Sequence, residues 1–213
     1  MLGHLRPYVG QLKKLIAWPY LKANFTPNQV GLFGVFLAFL AALTFRLGFQ
    51  QTSFWLALVA VLTDMADGEV ARARGLETPE GNYLDAIGDR LREGFLLIGL
   101  VPVAPNLVCI ALLGTFLTSF AKARLALVII SDNRDWAGFG DHADRAVILL
   151  FAYFFAPVSY WPIALMVLVT LSCFVTRVRT AVRLVQEAND ERLLPYLRSP
   201  QTDASDKSRL SDQ

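Results

Sequence analysis

Four aspartates and two glycines carry the chemistry this sequence offers: Asp64-x2-Asp67-Gly68-x2-Ala71-Arg72-x8-Gly81-x3-Asp85-x3-Asp89. On helices, Asp64 and Asp67 (i, i+3) share one face, as do Asp85 and Asp89 (i, i+4). Two such faces turned toward each other predict an oxygen-lined cage. Hard oxygen ligands, with no His or Cys inside the motif, select Mg²⁺, Mn²⁺ or Ca²⁺. Paired carboxylates suit a two-metal site, in which cations neutralise a diphosphate and polarise the phosphorus under attack. Gly68 and Gly81 are poor helix formers, kept where a ligand or backbone must come close. Arg72, one turn past Gly68, is placed for the same anion.

The elements that must position these acids are membrane helices. The chain has 213 residues, of which 54% are hydrophobic and 18% charged, with a mean hydropathy of +0.43. That is too apolar for an ordinary soluble domain and long enough for several spans. The expected fold is an all-α integral membrane domain over residues 1–186, six transmembrane helices preceded by an interfacial amphipathic helix. Residues 5–23 alternate apolar side chains with Arg6, Lys13 and Lys14 and form that juxtamembrane helix. Thr26-Pro27-Asn28 is a helix start. It opens a bundle over 28–186, whose first span runs to about Phe45. Further spans are expected at about Ser53–Ala71, from Gly81 to before Pro102, Leu107–Ile130, Asp144–Pro157 and Trp161–Val185. Gly34, Ala38 and Ala42 form a small-residue stripe that admits another helix, within the chain or in a dimer. Residues 187–213 are polar and are expected to be a disordered tail.

Charge placement orients this layout. Arg46 is the one outer residue among the 20 Lys and Arg, and all 18 acidic residues fall on the inner side. The positive-inside rule then puts both termini and the aspartates at the cytoplasmic face of the cell (inner) membrane, in a multi-pass topology. No cleaved secretory peptide is expected at the N-terminus. Cys109 and Cys173 lack partner spacing and read as helix packing, and His4 and His142 read as neither ligand nor catalyst. A central Asp costs about 2.5–3.5 kcal/mol on insertion scales, so four unsupported ones would oppose insertion by roughly 10 kcal/mol. Surface salt bridges to Arg72, Arg74, Arg90 and Arg92 are the plainer reading, but they leave the accompanying glycines without a reason.

The motif resembles the signature of the CDP-alcohol phosphotransferase family at every defined position. The resemblance implies transfer of a phosphatidyl-type group from a CDP-linked lipid to an alcohol, with release of CMP. By that likeness Asp64, Asp67, Asp85 and Asp89 hold two divalent ions, Mg²⁺ or Mn²⁺. Asp85 and Asp89 stand at the reacting centre, Asp89 as general base. Asn28, Gly68, Ala71, Arg72, Thr78 and Gly81 would contact the CDP-lipid, and a homodimer is implied. The segments S119-F120-A121-K122-A123-R124 and G140-D141-H142-A143-D144-R145, with Asp89-Arg90 and Glu93, are similar to the branch that uses inositol phosphate. Lys122, Arg124 and Arg145 are then the acceptor-binding residues. The chain departs from that branch at Leu125-Ala126-Leu127 and at Asp141-x-x-Asp144-Arg145. The alternative acceptor is glycerol 3-phosphate, giving a phosphatidylglycerophosphate synthase. Readings of other classes are a membrane prenyltransferase, which lacks the duplicated block it needs here, and an ion-coupled transporter, whose acids belong near the midplane. No nucleic-acid partner is expected.

Overall fold

The computed structural model describes residues 6–129, 136, 140–156 and 158–190, and among them every long element is an α-helix. In chain order these are α1 (Arg6–Lys22), α2 (Pro27–Arg46), α3 (Gln50–Arg74), α4 (Pro79–Gly99), α5 (Pro105–Leu125), α6 (His142–Phe155) and α7 (Trp161–Asp190). The starts and stops have local causes. Thr26 accepts from the Gln29 backbone N–H while the Gln29 side chain accepts from the Thr26 N–H, a capping box, with Pro27 in the first turn of α2. Thr78 caps α4 by accepting from Gly81 N–H at 3.0 Å. Gly75, at φ 65°, closes α3 in the left-handed region.

Several boundaries differ from the sequence reading. The turn expected at Arg46–Ser53 contracts to residues 47–49, and α3 extends through Arg74. Helix α6 begins at His142 rather than Asp144, because Asp141 takes the N-cap position. Helix α7 continues to Asp190, past the point where composition predicts a tail. His4, Ile130, Pro157 and residues 191–213 lie outside the described residues.

Helix α2 is the strut of the site, packed along both α3 and α4, while α5 packs on α7 and α6 bridges α3, α4 and α7. Close approach depends on small residues: Ala38, Ala41, Ala57 and Ala60 are fully buried where α2 meets α3. The Gly34, Ala38 and Ala42 stripe is buried within the chain. At Gly99 of α4 an added Cβ would come within 2.8 Å of Ala42 Cα. Polar ties replace the hydrophobic drive that lipid removes. Ser53 Oγ donates to Ala41 O at 2.7 Å, Tyr153 Oη to Leu96 O at 2.9 Å, and Thr118 Oγ1 to Thr170 O at 3.3 Å. Helix α1 lies along α3, held by Arg74, which donates to Leu21 O at 3.2 Å.

Large apolar side chains, among them Leu32, Phe36, Leu113, Phe116 and Leu168, face outward, the reverse of a water-soluble bundle. Among the described residues three helices are long and apolar enough to cross a membrane: α2, α5 and residues 161–188 of α7. Helices α3 and α4 carry the acids in their facing ends, and α6, with 14 residues, extends only about 21 Å. These features define an integral membrane protein. Gly99→Val is expected to force α4 off α2 and to lower stability by about 1–3 kcal/mol or more. A thermal melt of the detergent-purified protein checks this, and an unchanged midpoint would refute the close packing.

Candidate active site

The last turns of α3 and the first half of α4 bring the four aspartates together, as the two helical faces predict. Carboxylate oxygens of Asp64, Asp67 and Asp85 lie within 4.8 Å of one another, and so do ligand atoms of Asp64, Asp89 and His142. Asp64 belongs to both groups. The surrounding charges, however, are not those the motif shows. Arg92, only 3% exposed, reaches into the middle of the cluster. Its Nη2 lies 2.5 Å from Asp64 Oδ1, 2.9 Å from Asp89 Oδ1 and 3.9 Å from Asp85 Oδ1, and its Nη1 lies 3.7 Å from Asp67 Oδ2. The alternative of surface salt bridges, set aside above, does not describe Arg92, since this guanidinium is buried at the centre of the acids.

His142, read in sequence as neither ligand nor catalyst, also lies against the acids. It stands in the first turn of α6 with Nε2 3.4 Å from Asp64 Oδ2 and 3.8 Å from Asp89 Oδ1, and Nδ1 3.6 Å from Glu93 Oε2. Glu93, 2% exposed, is the hub of a second network. It accepts from Arg145 Nε at 2.6 Å, Arg90 Nη1 at 2.7 Å and Thr115 Oγ1 at 3.2 Å. Sequence reasoning passed over Arg92 and the role of His142. The i, i+3 step from Asp89 to Arg92 was the available signal for the first; nothing local signalled the second.

A cavity of about 660 Å³ opens beside the acids between α2, α3 and α4. Its wall includes Asp67, Asp85 and all six residues that the resemblance assigns to the donor: Asn28, Gly68, Ala71, Arg72, Thr78 and Gly81. Leu32, Val35, Leu84, Ile87 and Leu91 line its apolar part. Arg72 stands at the exposed rim, paired with Glu69 at 2.9 Å. A smaller cavity on the opposite side of Arg92 is lined by Asp64, Glu93 and His142. Both cavities therefore touch the acid cluster.

The three candidate acceptor residues are placed differently from one another. Arg145 is 2% exposed and engaged by Glu93 and by Gly140 O, to which its Nη1 donates at 2.7 Å. Gly140 adopts φ 90°, and a Cβ there would meet Cys173 Cβ at 2.9 Å, so this contact relies on glycine. Lys122 and Arg124 lie in the last turn of α5, half-buried and exposed respectively, and neither lines the large cavity. Lys122 is near enough to Arg177 and Asp141 to feel their charges. Arg177, which the motif reading omitted, pairs with Asp141 at 3.0 Å. Arg90 and Arg145 lie on Glu93, and Arg177, near enough to Arg90 and Lys122 to feel their charges, extends this basic group across α4, α5, α6 and α7.

The acids also fit divalent cations. One guanidinium among four carboxylates leaves a net negative formal charge at this centre, and a crowded, partly buried negative centre is costly unless cations offset it. The donor atoms are mostly carboxylate oxygens, the ligand type that Mg²⁺ and Mn²⁺ favour.

Comparison with known proteins agrees with this geometry. The family model for CDP-alcohol phosphatidyltransferase matches residues 24–193, and the chain belongs to that family. Among curated relatives, it is similar to the archaetidylinositol phosphate synthase of Pyrococcus horikoshii, with 26% identity covering 87% of this chain and 99% of the relative. It is also similar to the phosphatidylinositol phosphate synthase of Mycolicibacterium smegmatis, with 32% identity covering 89% and 88%. Two crystal structures of the Mycobacterium tuberculosis phosphatidylinositol phosphate synthase superpose well. The complex with manganese and citrate gives a TM-score of 0.67 at 26% identity, covering 79% of this chain and 88% of that one. The form with CDP-DAG bound gives 0.61 at 28% identity, covering 83% and 92%.

Two outcomes are expected from the site's electrostatics. Mn²⁺ or Mg²⁺ raises the melting temperature, EDTA reverses the rise, and Asp67→Asn diminishes it; a metal-independent melt would contradict the cage. Glu93→Gln, which leaves Arg145 without its buried counter-charge, is expected to cost about 3–5 kcal/mol. Chemical denaturation measures that loss, and a wild-type midpoint would contradict the hub.

Proposed function

We propose that the protein transfers a phosphatidyl-type group from a CDP-linked lipid to a hydroxyl of an inositol phosphate, releasing CMP, in phospholipid biosynthesis. The observation that carries this reading is the convergence of Asp64, Asp67, Asp85 and Asp89 beside a cavity lined by both polar and apolar side chains. Such a cavity suits a lipid joined to a nucleotide. The relatives named archaetidylinositol phosphate synthase and phosphatidylinositol phosphate synthase, and the Mycobacterium tuberculosis structures of the latter with CDP-DAG and with manganese, support the donor, the acceptor and the metal.

In this reading the four aspartates hold two divalent ions, Mg²⁺ or Mn²⁺, which supply charge neutralisation at the diphosphate. Asn28, Gly68, Ala71, Arg72, Thr78 and Gly81 bind the CDP moiety, and the apolar wall of Leu32, Val35, Leu84, Ile87 and Leu91 takes the start of the lipid chains. The acceptor hydroxyl approaches from the His142 side. Asp89 removes its proton as the oxygen bonds to the lipid phosphorus and the bond to CMP breaks, so no covalent enzyme intermediate is required. Asp85 orients the reacting centre with it. The acceptor's phosphate is met by Lys122 and Arg124 with the neighbouring basic group, while Arg145, held by Glu93, supports that surface from beneath.

The topology belongs to the same proposal. Residues 1–186 form the catalytic membrane domain, with α1 in the interface, six spans from α2 to α7, and both termini and the site cytoplasmic. The charge distribution supports this, since Arg46 alone among Lys and Arg falls on the outer side. The working unit is a homodimer.

Purified protein given radiolabelled CDP-diacylglycerol and Mn²⁺ is expected to release CMP with inositol 1-phosphate. Release only with glycerol 3-phosphate would move the assignment to a phosphatidylglycerophosphate synthase, and no release across an acceptor panel would refute the transferase. Asp89→Asn is expected to slow turnover by roughly 10²–10⁴-fold while retaining CDP-lipid binding. Undiminished turnover would remove Asp89 from the base role.

A further inference from the structure

We propose that Arg92 is a resident counter-ion of the Asp64–Asp89 pair, yielding that place to the second divalent cation when its guanidinium turns to the diphosphate of the donor. Three observations combine. First, Nη2 lies between the two groups of candidate ligands, 2.5 Å from the shared Asp64 and 2.9 Å from Asp89. A cation bound to Asp64 and Asp89 would meet the guanidinium at close range, where like charges repel. The Asp64, Asp67 and Asp85 group is less obstructed, since Arg92 stands 3.7 and 3.9 Å from Asp67 and Asp85. The two cation positions are therefore unequal before the donor binds.

Second, although Arg92 is 3% exposed, its Nε and Nη1 hydrogen-bond to no protein group. Buried donors in this state are rare and costly, which points to an acceptor that arrives with a ligand. Third, Arg92 lines both the large donor cavity and the small one beside His142. Phosphate oxygens in the donor cavity would offer Nε and Nη1 charge-assisted bonds in the forked geometry that guanidinium favours. Two neighbouring helix positions leave room: Gly34 near Nη1 and Gly88 near Nη2 carry no side chain. Turning toward the donor removes Arg92's charge from Asp64 and Asp89 as the second cation enters. Donor and second cation thus bind cooperatively, and neither assembles the full centre alone.

Since this rests on the transferase reading, the readout is metal binding rather than turnover. Mn²⁺ bound per chain is counted by electron paramagnetic resonance on the full-length protein in detergent, with Mn²⁺ alone and then with CDP-diacylglycerol. The expected result is one tightly bound Mn²⁺ per chain without the lipid and two with it. In Arg92→Met the second Mn²⁺ is expected to bind without the lipid, and affinity for CDP-diacylglycerol to fall by about tenfold. Arg92→Lys, which keeps the charge, serves if the Met variant does not fold; it is expected to retain dependence of the second ion on the lipid. Two equivalent Mn²⁺ on the wild type without lipid, or unchanged metal binding in Arg92→Met, would overturn the proposal. A count that rises from one to two while no acceptor yields CMP would uphold the role of Arg92 and reject the transferase.

Discussion

Four carboxylates held within a few ångströms of one another at the end of a membrane bundle repel strongly. Two unit charges 4 Å apart interact by about 4 kcal/mol at an effective dielectric constant of 20. The rest of the structure is arranged around offsetting this repulsion. Arg92 rises from one turn past Asp89, and His142 enters from the start of α6 to face Asp64. Even so the centre stays negative, so it is built to take up more positive charge. The packing of α2 makes the arrangement possible, because its buried stripe of Gly34, Ala38 and Ala42 lets α3 and α4 approach a common strut. Bulkier residues there would hold the acid faces apart.

The centre divides into two sides with different physics. Toward α2 lies the large cavity, lined by apolar Leu32, Val35, Leu84, Ile87 and Leu91 and by polar Asn28, Arg72 and Thr78. Toward α6 the surroundings are ionic: Glu93 gathers Arg90, Arg145 and Thr115 while contacting the His142 ring. Glu93 is one turn beyond Asp89 on α4, so the network that shapes the basic side is rigidly joined to the acids. His142 and Asp64 form the other link, from α6 to α3. A transfer between two substrates needs such a shared wall, since each must be positioned against the same reacting atoms.

Much of this was legible along the chain. The Asp64–Asp89 spacing implied two acid faces, and those faces meet. Thr26-Pro27 implied the start of α2, because a capping box depends on residues three apart. Helix ends were read less well: α3 begins earlier and α7 ends later than hydropathy suggests, since polar residues at span ends remain helical beyond the apolar stretch. Arg145 was legible as a basic residue but not as a buried one. Its partner Glu93 lies on another helix, and a basic residue looks the same in sequence whether it faces a ligand or a counter-charge.

The sequence by itself determined the class of chemistry: oxygen ligands in two helical pairs, glycines beside them, apolar spans to hold them, and charges gathered on one side. These properties depend on residue type and short-range periodicity, which a single helix expresses without its neighbours. Tertiary structure alone decided that Arg92 stands among the acids, that His142 faces Asp64 across helices, and that Arg145 is engaged by Glu93 rather than open to the site. Those outcomes depend on distances between helices far apart in the chain. Such distances are set by how closely the small residues of α2 allow its neighbours to pack, which no local pattern encodes.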